Sequence, residues 1–98
     1  MPLPAPGDAL SVASALPARG AVSFNYSVAD DHRWVRLTVH DVAGRLVSVV
    51  DEGPRDAGRY NTTWDGRSDG GSRVASGVYF ARLTVGRSTV SRKLVLLR

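Results

Sequence analysis

Residues Gly58–Leu83 read G-R-Y-N-T-T-W-D-G-R-S-D-G-G-S-R-V-A-S-G-V-Y-F-A-R-L, and this stretch decides the fold. From Arg59 to Trp64, Tyr60, Thr62 and Trp64 fall on one face at a period of two, which is the period of a strand and not of a helix. Asp65-Gly66 and Asp69-Gly70 follow. In each, a carboxylate that can accept backbone N–H bonds stands beside a residue free to take positive φ, which is turn chemistry. A second run begins at Ser76-Gly77 and extends to Val85, with Tyr79, Ala81, Leu83 and Val85 sharing a face. Two strands joined by a Gly- and Ser-rich loop are therefore predicted. Tyr60, Trp64, Tyr79 and Leu83 supply the structural core, because large aromatic and aliphatic side chains bury the most area in a small domain.

The same alternation continues on both sides. In Ala21–Val28, Val22, Phe24, Tyr26 and Val28 alternate with Ser23, Asn25 and Ser27. In Trp34–His40, Val35, Leu37 and Val39 alternate with Arg36, Thr38 and His40, and Trp34 at the strand start is the aromatic expected to be exposed. Asp41–Arg45 is a turn around Gly44, and Leu46–Val50 is a more continuously apolar strand. Gly53-Pro54 and Ala57-Gly58 mark Asp51–Gly58 as a loop. Gly86-Arg87-Ser88 turns the chain into Thr89–Leu97, with Leu94 and Leu96 inward. A short first run, Ala9–Ser14, is broken by Leu16–Gly20. About seven short strands at this spacing predict an all-β, immunoglobulin-like (fibronectin-like) antiparallel β-sandwich. A small closed barrel fits the same spacing. The chain has no cysteine, so no disulfide staples it.

Composition removes several function classes. A chain of 98 residues makes one domain. Net charge is +4, but the basic residues are scattered from Arg19 to Arg98 without a run or interleaved aromatics, which argues against nucleic acid. No apolar stretch approaches the ~20 residues of a membrane span. The start, M-P-L-P-A-P-G, lacks the charged and apolar regions of a signal peptide, so residues 1–8 read as a Pro-rich linker ahead of a domain at 9–98.

Chemistry-bearing residues are few. Asp65, Asp69 and Ser72 could offer oxygens to calcium, but two carboxylates fall short of the roughly 6–8 oxygens that ion takes, and hydrogen bonding within turns accounts for both. His32 and His40 have no ligand partner at metal spacing, and no nucleophile elbow surrounds any serine. No catalytic residue, cofactor or enzyme activity is expected. Lys93 and Glu52 are the lone lysine and glutamate; with Asn25 or Asn61 they would be the ingredients of an isopeptide bond, though exposure of both charges is the simpler expectation. Asn25-Tyr26-Ser27 and Asn61-Thr62-Thr63 match the short glycosylation sequon, which also arises by chance.

Several segments resemble one family when taken in order: V-R-L-T-V-H-D-V-A-G-R-L-V (Val35–Val47), A-G-R-Y-N-T-T-W-D-G (Ala57–Gly66), the Asp69-Gly70-Gly71 turn, V-A-S-G-V-Y-F-A-R-L (Val74–Leu83) and R-K-L-V-L-L-R (Arg92–Arg98). Together, over residues 20 to 98, they look like the FlgD-like immunoglobulin domain, whose relatives cap the flagellar hook. Close cousins look like the C-terminal sorting domain of type IX secretion. The chain departs from such tails at Ala15–Gly20, where their Asn-Pro segment has no Asn. The resemblance implies a non-catalytic accessory domain of a larger exported bacterial protein, secreted or held at the cell surface after passage through the periplasm. It also implies a partner in a secretion or envelope machinery, and a monomer in isolation. The terminal residues Lys93, Leu94, Val95, Leu96, Leu97 and Arg98 are the expected sorting or partner contact, fitting a natural C-terminus, and the strand edges are the expected docking places. A hook-cap-like assembly module and an ancillary carbohydrate-binding domain are the alternative functions.

Overall fold

A computed structural model describes residues 7–98; the Pro-rich start at residues 1–6 lies outside them. Two sheets face one another. Strands β1 (Ala9–Val12), β3 (Val22–Val28) and β6 (Gly58–Trp64) form one, in the order β1-β3-β6. Strands β2 (Ala18–Arg19), β8 (Ser88–Leu97), β7 (Gly77–Val85), β4 (Arg33–Asp41) and β5 (Leu46–Arg55) form the other, in the order β2-β8-β7-β4-β5. The chain is thus an immunoglobulin-like sandwich, and its two separate sheets rule out the closed barrel.

The alternation seen in the sequence is the alternation of burial. Val22, Phe24 and Val28 from the smaller sheet and Val35, Leu37, Val39, Ala81, Leu83, Leu94 and Leu96 from the larger are fully buried between the sheets. Trp64 and Tyr79 meet edge to face at 5.8 Å within this core, with Trp64 at the end of β6 donating its indole N–H to Arg67 O (2.8 Å).

Three expectations needed correction. First, Asp51–Arg55 continues β5 and is not loop: Gly53 and Pro54 pair with Val35 and Trp34 of β4. Pro54 is tolerated because β5 is the edge strand, where a missing N–H breaks no ladder bond. Second, the break at Leu16–Gly20 contains β2, a two-residue strand that pairs in parallel with Leu96 and Leu97 of β8. Third, the first strand stops at Val12; beyond it, Ala13 N donates to Ser23 O (2.8 Å) and Ser14 Oγ accepts from Ser23 N (2.8 Å). Gly7 and Asp8, grouped with the linker by composition, are tied to the end of β3. Gly7 O accepts from Ser27 Oγ (2.6 Å), and the Asp8 carboxylate accepts from Ala29 N (3.0 Å).

Candidate functional site

The loop that invited a metal reading is a brace. Asp65 Oδ1 accepts from Arg67 N (3.0 Å), closing its own turn. Asp69 reaches further: its N–H donates to Val47 O (3.0 Å), and its Oδ1 accepts from Val49 N (3.1 Å) and Ser48 Oγ (3.1 Å). The loop therefore covers the outer edge of β5 at Val47–Val49, satisfying backbone groups that an open edge would offer to another chain. Both carboxylates are oriented by donors, and no metal-binding cluster of His, Asp or Glu forms among the described residues.

A second polar cluster closes the seam where β5 of one sheet meets β3 and β6 of the other. Tyr26 Oη donates to Asp51 Oδ2 (2.6 Å) and accepts from Arg55 Nε (3.3 Å), while Arg55 Nη2 donates to Asp51 Oδ1 (2.7 Å). The Tyr60 ring stacks on Tyr26 with centroids 5.2 Å apart, and its hydroxyl donates to Asp56 O (2.6 Å). Burial and the bond to Asp51 push the Tyr26 phenol up to about 12, against a smaller opposing pull from Arg55. The Arg55 guanidinium is raised in turn, first by the Tyr26 hydrogen bond. Every buried polar side-chain atom in the described residues has a partner, so the buried part of this cluster is a satisfied network.

Trp64 and Tyr79 are buried, and Tyr60 shows only part of its ring. An open depression of about 740 Å³ lies over the smaller sheet, lined by Asn25, Tyr26, Ser27, Tyr60 and Asn61 among others. Asn61 Nδ2 donates to Asn25 Oδ1 (2.7 Å) there, on a different sheet from Lys93, while Glu52 pairs with Arg36 (2.9 Å). The isopeptide ingredients are thus not brought together. His32 is exposed with φ 58° and lies 3.6 Å from Asp56, whereas His40 sits between Thr38 Oγ1 (2.9 Å) and Gly44 O (3.3 Å).

The terminal segment divides by side. Leu94 and Leu96 point inward and are fully buried; Lys93 is exposed, and Val95 and Leu97 are half-buried on the outer face. Arg98 folds back, its N–H donating to Ser76 Oγ (2.8 Å), its Nε to Val74 O (2.9 Å) and its Nη2 to Gly66 O. β8 pairs with β7 from Ser88 to Leu96 and with β2 at Leu96–Leu97, and among the described residues no further strand pairs with it from Ser88 to Val95. The open side of β1 receives Arg92, whose Nε donates to Leu10 O (2.9 Å).

Register adds residues that the sequence reading passed over. Leu46, His40, Phe80 and Lys93 lie side by side on four neighbouring strands. Phe80 is 38% exposed and Leu46 48%, so the row presents apolar surface to solvent. The signal was present in the alternation: Phe80 falls between the inward Tyr79 and Ala81. Trp34, 58% exposed, stands near the other end of the same sheet, opposite Pro54.

The two-sheet topology of the described residues has known counterparts. The family model of the FlgD Ig-like domain matches residues 8–88. The chain belongs to the FlgD Ig-like domain family. The match takes in β1 through β7 and the first residue of β8. Among solved structures, the domain is similar to part of dimeric latent PorU from Porphyromonas gingivalis. The TM-score is 0.72 at 19% identity, over 94% of this chain and 10% of that one. It is also similar to part of PorZ, a surface component of the type IX secretion system of the same organism. There the TM-score is 0.56 at 19% identity, over 94% of this chain and 12% of that one. At such identities the likeness is one of fold, and the FlgD Ig-like domain spans about a tenth of either neighbour. No curated protein matches the sequence.

Proposed function

We propose that this FlgD Ig-like domain is a non-catalytic accessory module of an exported bacterial protein, recognised as a folded β-surface by a component of a secretion or envelope machinery. The observation that carries the reading is the fold shared with domains of PorU and PorZ, the latter a type IX secretion component by its own description. Two features of the chain support it. Its polar clusters tie loop to strand and sheet to sheet, as Asp69 does at Ser48 and Val49 and Asp51 does at Tyr26 and Arg55. Its outer sheet face, by contrast, carries exposed apolar side chains. On this reading the host protein works outside the cytoplasm or at the cell surface, and the domain acts in sorting or anchoring.

Fusion of the 98-residue chain to a reporter in a type IX-competent host tests this. The expected result is reporter at the surface or in the medium. Retention inside the cell, with the fusion intact and folded, argues against a sorting role.

A further inference from the structure

The outer face of the five-stranded sheet is built unlike the rest of the surface. Leu46, His40, Phe80 and Lys93 form one cross-strand row, and Val78 pairs with Val95 beside it. Arg82 lies in the next row, opposite Thr38 and Ser91. Neither Lys93 nor Arg82 has an ion-pair partner among the described residues. Glu52 is the acidic residue of this face, and Arg36 already neutralises it at 2.9 Å. The face therefore carries exposed apolar side chains with two unpaired cations, Arg82 and Lys93, beside them.

We infer that this row and the Val78–Val95 pair are the docking surface for a protein partner that presents an apolar ridge fringed by carboxylates. The inference rests on reading the domain as a recognition module, and it identifies the recognised part. The contact is not the terminal peptide as such. Lys93 and Val95 belong to it, Leu94 and Leu96 are withheld in the core, and Phe80 and Leu46 join from strands distant in sequence.

Charge selects the occupant. A second copy docked face to face would set unpaired Lys93 and Arg82 against like charges, which costs affinity. A lipid surface is bound by side chains that project into the headgroup layer. Phe80, at 38% exposure, stands on the middle strand of a five-stranded sheet and not on a projecting loop. Carboxylates on a complementary protein would pair the free cations while the apolar row is covered.

The test uses a random peptide library displayed on phage and selected on the purified full chain. Enriched peptides are expected to combine Phe, Leu or Ile with Asp or Glu. Phe80→Ser should weaken them about tenfold or more, as loss of an anchor does. The double variant Arg82→Glu, Lys93→Glu retains Phe80 and should weaken them as well, with a flatter salt dependence. Asn61→Ala, on the other sheet, should leave binding unchanged, and thermal unfolding checks that each variant is folded. The inference is overturned by failure to enrich, by peptides without acidic residues, or by binding indifferent to both variants. Self-association abolished by Phe80→Ser overturns it in favour of a second copy. Phosphatidylglycerol vesicle binding abolished by Phe80→Ser overturns it in favour of a membrane. A Phe80→Ser reporter exported as well as the parent refutes this surface but leaves the secretion reading standing. A parent reporter that is retained does the reverse.

Discussion

Tyr26 of β3 donates its phenolic hydrogen to Asp51 of β5 across the seam between the sheets, at 2.6 Å. The two strands belong to different sheets, so this bond is a tie between layers and not part of either ladder. The phenol stays protonated up to about 12 in the folded chain, against an ordinary value of 10.0.

Alkaline titration should expose that tie. A raised folded value means the stabilisation is complete below the unfolded value near 10 and is lost as pH rises toward about 12. In that window the unfolded chain binds fewer protons, so stability falls with pH. The loss is on the order of 2 kcal/mol. Tyr26→Phe removes the titrating group, so the stability gap between parent and variant should shrink from pH 10 to pH 12. A constant gap in thermal unfolding across that range refutes the assignment.

Asp69→Ala removes the acceptor that holds Val49 N and Ser48 Oγ and opens the outer edge of β5. The expected cost is about 1–3 kcal/mol, since a charge-assisted bond is lost and a backbone donor is freed. Hydrogen exchange should accelerate at Val49 more than at Leu37. Equal protection at Val49 in both proteins would contradict the brace.

Two glycines of one loop should respond differently to alanine. Gly66 has φ 75°, and a methyl group there would collide with the Gly20 carbonyl oxygen. Gly71 has φ 88°, and nothing lies within 4 Å of the added carbon. Gly71→Ala should cost only the left-handed backbone strain, about 1–2 kcal/mol. Gly66→Ala should cost clearly more, because backbone must move. Denaturant midpoints for the pair give the comparison, and equal shifts would count against the close approach.

Asp41 organises the β4–β5 turn. Burial, which acts upward, is outweighed by hydrogen bonds from Arg45 N and Arg45 Nε, both with Asp41, and from Ala43 N, so its carboxyl is held below the ordinary value. A depressed folded value gives stability present above the unfolded value and lost as pH falls through the folded one. Asp41→Asn should therefore flatten the acid limb of the stability profile below pH 4. An unchanged limb would rule the residue out as a contributor.

Much of this architecture was legible because burial obeys a period of two. Phe24 and Tyr26, Leu37 and Val39, and Leu83 and Val85 announce their inner faces directly. Hidden features depended on partners remote in sequence. Ala18–Arg19 is a strand only because Leu96–Leu97 runs beside it, and no local propensity marks two residues. Pro54 looked like a breaker because the sequence does not say which strand will lie at an edge. The row from Leu46 to Lys93 was hidden for the same reason, since each member looks like an isolated surface residue until register aligns it with its neighbours.

The place of β8 has one more consequence. Leu94 and Leu96 fill the core, β2 has no other ladder partner among the described residues, and Arg98 fastens the loop at Gly66 and Val74. A chain broken off before residue 94 could not close the larger sheet. The larger sheet, and with it the outer face that carries Phe80 and Lys93, is therefore completed only by the strand that also fills the core.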